Sequence, residues 1–232
     1  MVPGGRARPD PIPRVDGADR DRALRRRAGG DHRLHARSAY PREAIPISLT
    51  RPEIVRATES LAIGPRRHDL LDTYLRWTND PVVMRGNGRF EPEEREVLRA
   101  ALDVMISGPN AHFTVYDRLR TDPHEGPLPI GTATLSIDRP VAAAEFFITL
   151  GEEGRGRGLA APATRLVLDF AFEEAGLENV FLAVLEPNVA AIRAYTRAGF
   201  QRIGHRRRSA LWAGSRVDEV LMDAIPTSLE PA

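Results

Sequence analysis

The chain has 232 residues, which favours one folded domain with an appendage, and its 42% hydrophobic and 28% charged residues are typical of a globular protein. It contains no cysteine, and all 33 of its basic residues are arginines. These absences exclude disulfides, thiolate metal sites, cysteine nucleophiles, a Walker lysine and a lysine Schiff base. Since no run of about 18 apolar residues occurs and the N-terminus lacks an apolar signal core, we expect no membrane span and no secretory signal. The absence of cysteine fits a reducing compartment, so we expect a cytoplasmic location.

The first 46 residues are rich in arginine, proline, glycine and aspartate, and we expect a disordered N-terminal extension. Eleven arginines against six acidic residues give this segment an excess of five positive charges, which leaves the rest of the chain at −4. Two interpretations stay open: a basic arm for nucleic acid or another polyanion, or a solvated tail. Residues 47–58 are expected to form a linker, 59–226 the folded domain and 227–232 a C-terminal tail.

Apolar periodicity predicts alternating strands and helices from residue 59 onward. The strand candidates span residues 59–63, 111–116, 128–137, 143–150, 180–185, 200–208 and 215–225. The helix candidates span residues 69–77, 90–107, 159–175 and 189–198. Between the first two helices, Asn79-Asp80-Pro81 is typical of a turn. Three consecutive strands without a helix between them indicate an antiparallel meander, so the order predicts an α+β fold with a mixed, mostly antiparallel sheet.

A glycine- and arginine-rich turn, residues 151–158, connects a predicted strand directly to a predicted helix. Glycines let a backbone approach a ligand closely, and the first amides of a helix have no internal acceptor and carry partial positive charge. Such a turn is suited to binding an anion, with arginine side chains adding charge from its flanks. A flexible connector is the simpler alternative. Gly156, Gly158 and Ala161 also match a dinucleotide-binding fingerprint, but only about 75 residues follow, too few for a doubly wound sheet.

The pattern Arg155-x-x-Gly158-x-Ala160 resembles the Gln/Arg-x-x-Gly-x-Gly/Ala signature of the GNAT superfamily of N-acetyltransferases. The resemblance implies a central sheet splayed in the middle and flanked by about four helices. It also implies that the backbone of the turn binds the pyrophosphate of coenzyme A. The positions concerned are Arg155, Gly156, Arg157, Gly158, Leu159 and Ala160. Amides of the preceding strand, at Ile148 and Leu150, would hold the pantetheine and polarise the thioester carbonyl.

A second segment, residues 188–200, resembles the Asn-x-x-Ala-x-x-x-Tyr-x-x-x-Gly-Phe stretch of the same superfamily. Asn188 is placed to cap the helix, Tyr195 lies two turns further along the same face, and Gly199 allows a left-handed exit. The resemblance implies that Asn188 contacts the cofactor arm and that Tyr195 protonates the departing thiolate. The residues alone also allow a cap without a ligand and an aromatic packing residue.

Residues 69–84 resemble the subgroup that acetylates ribosomal-protein N-termini, together with its small-molecule relatives. Glu145 occupies a strand position where this subgroup often carries a glutamate, and a carboxylate there can take a proton from the attacking ammonium. The alternative is a glutamate paired with one of the many arginines. His112 and His205 are further candidate bases, although single histidines are more often structural. No cluster has metal-ligand spacing, so we expect no metal.

The resemblance therefore predicts an acetyl-CoA-dependent N-acetyltransferase in which an amine attacks the thioester directly. The acceptor is expected to be a small-molecule amine or a peptide N-terminus, with no membrane partner and with homodimer formation left open. Two alternatives remain: an aminoacyl-tRNA-dependent transferase, which the basic N-terminal segment favours, and a non-catalytic coenzyme A sensor. Against tRNA, that segment has only Tyr40 as an aromatic residue, so it lacks the stacking side chains of single-stranded RNA sites.

Overall fold

A computed structural model describes residues 52–229, so the predicted extension over residues 1–46 and the end of the predicted tail, residues 230–232, lie outside the described chain. Eight strands and five α-helices make up this part. The strands are β1 Arg56–Ala57, β2 Leu61–Pro65, β3 Ala111–Asp122, β4 Gly126–Asp138, β5 Ala143–Leu150, β6 Asn179–Leu185, β7 Gln201–Trp212 and β8 Ser215–Ala224. The helices are α1 Leu71–Thr78, α2 Pro81–Gly86, α3 Arg95–Ser107, α4 Ala160–Asp169 and α5 Val189–Ala198.

All eight strands form one sheet in the order β1-β2-β3-β4-β5-β6-β8-β7. Every neighbouring pair is antiparallel except β5 and β6, which are parallel. The β5–β6 pairing covers only three residues on each strand, Ala143 to Glu145 against Asn179 to Phe181. Beyond Glu145 the two strands are not paired, so the middle of the sheet is splayed. The predicted mixed, mostly antiparallel α+β fold is confirmed.

Helices cover the two faces of the sheet unequally. On one face α4 and α5 pack into the main core with Phe113, Leu135 and Phe146, all nearly inaccessible to solvent. On the other face α1 and α3 form a smaller cluster around Tyr74, Trp77 and their neighbours. The Tyr74 hydroxyl is hydrogen-bonded to the hydroxyl of Thr114, whose side chain points away from the main core. Within residues 52–229, no helix has the length and apolar content needed to cross a bilayer.

Helix α2 corrects the sequence prediction, which had only a turn at residues 79–81. The Asp80 carboxylate accepts from the amides of Val82 at 2.8 Å and Val83 at 3.4 Å, and Pro81 occupies the first turn. Asp followed by Pro suits a helix start as well as a turn. Amide hydrogens in the first turn of a helix have no acceptor within the helix, and proline has no amide hydrogen. A two-residue strand, β1, also lies within the segment that was expected to be a linker.

Helix α3 begins at Arg95, five residues later than the start predicted at Phe90. The side chain of Asn79 explains the delay. Its Oδ1 accepts from the amide of Glu93 at 2.7 Å, and its Nδ2 donates to the carbonyl of Glu93 at 3.0 Å. The segment before α3 is therefore held extended against the end of α1.

The predicted helix over residues 159–175 is confirmed as α4 followed by a π-helical turn, Phe170–Glu174. Gly176 then adopts φ +65°, the left-handed conformation expected for a glycine that ends a helix. The buried side chains of Leu166, Val167 and Phe170 fix this helix against the sheet. The N-terminal turn of α4 is thereby held close to the C-terminal end of β5.

The turn between β5 and α4 is attached to α1 by a close approach of backbone to side chain. Gly151 lies against the Trp77 indole, so a Cβ at this position would overlap the ring. The indole N–H donates to the Glu153 carboxylate at 2.8 Å, and Arg76 also pairs with Glu153. Gly151 is therefore required for packing and not for a left-handed conformation.

The same turn is attached to α2 through an ion pair. The Arg155 guanidinium donates to Asp80 Oδ2 at 2.6 Å, while Asp80 Oδ1 caps α2. The hydrogen bond from Arg155 is the main cause that holds the pKa of Asp80 below its usual range. One carboxylate thus joins the start of α2 to the turn.

We expect Gly151→Ala to lower the free energy of unfolding by about 1–3 kcal/mol, because the added methyl forces Trp77 or the turn to move. Gly204→Ala is the matched control, since its Cβ would meet only Leu221 Cδ1, at 3.9 Å. Urea unfolding of both variants measures the difference. Equal stabilities for the two alanine variants would contradict the packing role of Gly151.

We expect Asp80→Asn to lower the free energy of unfolding at pH 7 by about 1 kcal/mol, because asparagine retains the cap but loses the ion pair. Since the folded-state pKa of Asp80 is depressed, its stabilisation is complete above the unfolded pKa near 4 and is lost as the pH falls through the folded value. The difference between wild type and variant should therefore shrink below about pH 4 in urea titrations.

The matched variant Asp80→Ala removes the cap as well as the ion pair, and we expect it to cost about 1 kcal/mol more than Asp80→Asn. If the two variants were equally stable, the cap would contribute nothing. If the Asp80→Asn difference stayed constant down to pH 3, the ion pair with Arg155 would not be its cause.

Candidate active site

The backbone between β5 and α4 presents a row of amides without acceptors. The amides of Gly154 and Arg155 close a tight turn on the Gly151 carbonyl at 3.0 and 3.1 Å. Within residues 52–229, the amides from Gly156 to Ala161 have no backbone acceptor, and the first helical bond of α4 starts only at Ala163. Pro162 has no amide hydrogen, so its place in the first helical turn costs no hydrogen bond.

Gly156 and Gly158 give this turn its shape. Their φ angles are +70° and +73°, and no atom lies within 4 Å of the position that a Cβ would occupy at either residue. Space is therefore not what requires glycine here, whereas the left-handed backbone is. Successive amides that point outward next to a helix N-terminus form a concave site for an anion, since their partial positive charges add to that of the helix end.

The side chains of Arg155 and Arg157 are used differently from the sequence interpretation, which had them adding charge from the flanks. Arg155 pairs with Asp80, and Arg157 donates to Asp117 Oδ2 at 2.7 Å and to the Glu153 carbonyl at 3.1 Å. Asp117 is almost fully buried on β3. Both arginines therefore fix the turn to the rest of the domain, and the positive potential of the turn comes mainly from its backbone.

Strand β5 offers further amides toward the splay. The Gly151 amide donates to the Ile130 carbonyl of β4 at 2.9 Å, and register pairs Leu150 with Gly131 and Ile148 with Ala133. Because hydrogen-bonded and non-bonded pairs alternate along an antiparallel ladder, the amides of Ile148 and Leu150 point away from β4. They face the side on which β6 has separated, so β6 does not pair with them.

Helix α5 brings the second predicted segment to the same opening. The Asn188 Oδ1 accepts from the Ala191 amide at 3.2 Å, so its carbonyl caps the helix while its amide hydrogens remain for another partner. Gly199 ends the helix at φ +116°. Asn188 follows the end of β6 by three residues, and its amide donates to the Leu185 carbonyl at 2.8 Å.

Tyr195 lies on the inner face of α5 among aromatic side chains. Its ring centroid is 6.2 Å from that of Phe146 on β5 and 5.9 Å from that of Phe200. Burial raises the pKa of the Tyr195 hydroxyl to about 12, so the hydroxyl keeps its proton at neutral pH. The ring therefore packs against the core, and the hydroxyl is in the protonation state that a proton donor requires.

Glu145 lies on the opposite face of the sheet from Tyr195. It pairs with Ser136 on β4 and precedes Phe146, whose side chain points into the main core beside Tyr195. Since successive side chains of a strand alternate between faces, Glu145 points to the face that carries α1 and α3. The structure thus places Ile148, Leu150 and Tyr195 on one face of the sheet and Glu145 on the opposite face, whereas the side-chain amide of Asn188 lies near Gly86 of α2.

The two histidines considered as bases occupy different places. His112 is half-buried on β3, on the same face as Glu145, and its Nδ1 lies 3.1 Å from the Thr134 hydroxyl. Desolvation, and secondly the charge of Arg66, lower the pKa of His112. His205 is exposed on β7, near the edge of the sheet and opposite Val220 of β8. In the part of the chain from Pro52 to Leu229, no group of three or more acidic, histidine or cysteine side chains is arranged to hold a metal ion.

Trp77, Asp80 and Asp117 were not identified from the sequence, although they position the turn. Each is 40 or more residues from its partner in the turn. Only Asp80 carried a local signal, since an aspartate before proline is typical of a helix start. A cavity of about 630 Å³ lies elsewhere, between the β3–β4 hairpin and the segment before α1, with Tyr116, Arg120 and Leu128 among its lining residues.

Comparisons with known proteins agree with this geometry. The Bacillus subtilis protein named Probable N-acetyltransferase YjcK is 26% identical over 147 residues, which cover 56% of this chain and 80% of that protein. The spermidine N(1)-acetyltransferase of Escherichia coli K12 is 39% identical over 57 residues, covering 25% of this chain and 31% of that protein.

Solved structures share the fold. The spermidine N-acetyltransferase of Vibrio cholerae, in complex with CoA and spermine, superposes with a TM-score of 0.66 at 21% identity, covering 74% of this chain and 99% of that one. A GNAT-family acetyltransferase of Bacillus anthracis superposes with a TM-score of 0.60 at 18% identity, covering 73% and 97% of the two chains. Residues 62–201 match the acetyltransferase (GNAT) domain model, so the chain belongs to the GNAT family of acetyltransferases.

Proposed function

We propose that this protein is an N-acetyltransferase that transfers the acetyl group of acetyl-CoA to a primary amine by direct attack. The observation that carries the proposal is the row of amides without backbone acceptors from Gly156 to Ala161, at the end of a strand whose own amides face the splay. This row suits a pyrophosphate, and the amides of Ile148 and Leu150 suit an extended pantetheine arm and its thioester carbonyl. The acceptor class we favour is a small-molecule amine, since similar proteins carry spermidine in their names.

The chain's own groups suffice for the chemistry of this reaction. When the amine attacks the thioester carbonyl, negative charge develops on the carbonyl oxygen, and a β5 amide can donate to it. Glu145 would accept the proton that the amine loses, directly or through water. Tyr195 would donate its proton to the departing sulfur, since its hydroxyl is protonated at neutral pH. The base and the acid would then act from opposite faces of the sheet.

Resemblance of residues 69–84 to the subgroup that acetylates ribosomal-protein N-termini keeps a peptide N-terminus as a second acceptor class. The structure forms α1 and α2 from this segment, and α1 packs on the face of the sheet that carries Glu145. A panel of primary amines and short peptides, with release of free thiol as the readout, would separate the two classes. Acetyl-CoA binding by calorimetry without thiol release from any acceptor would instead support a coenzyme A sensor.

Tyr195→Phe should lower the rate of acetyl transfer by about 10²–10⁴-fold, because it removes the proton donor while leaving the ring in place. Acetyl-CoA affinity, measured by calorimetry, should remain nearly unchanged. Tyr116→Phe is the matched control, since its buried hydroxyl has no hydrogen-bond partner among the described residues and lies on the other face. An unchanged rate for Tyr195→Phe would leave Tyr195 with a packing role only.

Glu145→Gln should flatten the rising limb of the pH–rate profile, because glutamine cannot accept the proton of the attacking ammonium. The measurement is kcat/KM for the best acceptor between pH 5 and 9, compared with wild type. His112→Gln serves as the matched variant on the same face. If the limb disappeared with His112→Gln and persisted with Glu145→Gln, the base would be His112.

A further inference from the structure

Arg66 has no counter-charge within the described part of the chain. Among residues 52–229 it is the one partly buried arginine whose side chain neither pairs with a carboxylate nor donates to a carbonyl; the other unpaired arginines are exposed. Its Nε is sealed from solvent and has no hydrogen-bond partner. Burial lowers the pKa of Arg66 to about 10, so it remains a cation at neutral pH. A buried cation without a partner is unfavourable for the folded protein unless a group of opposite charge binds next to it.

The contacts that Arg66 does make do not replace a counter-ion. Its guanidinium lies over the Tyr74 ring, 4.8 Å from the ring centroid, which satisfies one face of the group. The N–H donors point in the plane of the guanidinium, however, and a ring beneath that plane cannot accept from them. The carboxylate closest to Arg66 along the following segment has another partner, since Asp69 pairs with Arg67.

Arg66 lies at one end of a row of side chains on the face that carries Glu145. Its amide donates to the His112 carbonyl, His112 is opposite Thr134, and Thr134 is opposite Phe147 on β5. We call the surface formed by His112, Thr134 and Phe147 the floor. His112 and Thr134 are partly exposed and Phe147 is 51% exposed, so solvent reaches this floor. Three strand spacings separate Arg66 from β5, which is roughly 14 Å between backbones.

We propose that this floor receives an acceptor whose amine lies at β5 and whose far end carries a carboxylate or phosphate bound by Arg66. The inference rests on the proposed acetyltransferase function and narrows its substrate class. Glu145 at one end suits an ammonium group, and the Arg66 guanidinium at the other suits an anion with in-plane oxygen acceptors. A polyamine would instead bring a second cation against Arg66. The acceptor therefore differs in charge from spermidine.

The first experiment compares amines of matched length. Wild type should acetylate 6-aminohexanoate and 6-aminohexyl phosphate with a kcat/KM at least tenfold above that of hexylamine and of spermidine. Arg66→Gln should remove this preference, because the KM of the two anionic substrates should rise more than the KM of hexylamine. Arg120→Gln is the control, because Arg120 is exposed and also lacks a partner among the described residues. The two anionic substrates distinguish a carboxylate site from a phosphate site.

A second readout does not depend on activity. Desolvation is the main cause that lowers the pKa of His112 and the charge of Arg66 is the second, so inorganic phosphate bound at Arg66 should offset the second cause and raise that pKa in an NMR titration of wild type. The same titration of Arg66→Gln should show no phosphate-dependent shift. If the enzyme acetylated no amine but this Arg66-dependent shift appeared, the acetyltransferase proposal would fail while the anion site stood.

The proposal is overturned if hexylamine or spermidine is the better acceptor, or if Arg66→Gln alters all acceptors equally. It is also overturned if phosphate shifts His112 alike in both proteins. If Arg66 only stabilised the fold, Arg66→Gln would lower the Tm. If Arg66 is instead a buried charge without a partner, its removal should leave the Tm equal or raise it. Should Arg66→Gln fail to fold, Arg66→Lys retains the charge without the planar fork and should reduce the preference for the carboxylate substrate.

Discussion

The parallel contact between β5 and β6 ends after three residues, and the rest of the site depends on this early separation. A fully paired sheet would engage the outward amides of Ile148 and Leu150 with β6 and leave no opening. Backbone amides require an acceptor, so a sheet that separates in its interior commits these groups to water or to a ligand. The splay therefore creates binding capacity from main-chain atoms alone, independent of side-chain identity on β5.

Two arginines at the edge of this opening show how the turn keeps its shape. Arg155 belongs to the sequence signature and Arg157 lies within it, yet their side chains are directed at Asp80 and Asp117. A glycine-rich turn loses much conformational entropy when it becomes ordered. Because the two ion pairs already order this turn in the free protein, less conformational entropy would be lost when a ligand binds. The ion pairs thus contribute to preorganisation more than to direct recognition.

The sequence predicted the parts of this molecule that local chemistry determines. The turn at residues 151–158, the cap of α5 at Asn188 and the end of α5 at Gly199 follow from backbone and capping preferences within a few residues. Helix α2 was missed because Asn79-Asp80-Pro81 satisfies both a turn and a helix start. The pairing of Arg155 with Asp80, 75 residues away, and the opposite faces of Glu145 and Tyr195 depend on register and tertiary packing, which a single sequence does not reveal.

The contact between Gly151 and the Trp77 indole also provides an optical signal. Only two tryptophans occur in the chain, and Trp77 is buried against the turn while Trp212 lies at the end of β7, beside the β7–β8 turn. Indole emission depends on the polarity and charge around the ring, and the Glu153 carboxylate that accepts from the Trp77 N–H belongs to the turn itself. Intrinsic fluorescence at Trp77 therefore reports rearrangement of the turn in the unlabelled protein, and replacing Trp212 with phenylalanine would isolate that emission.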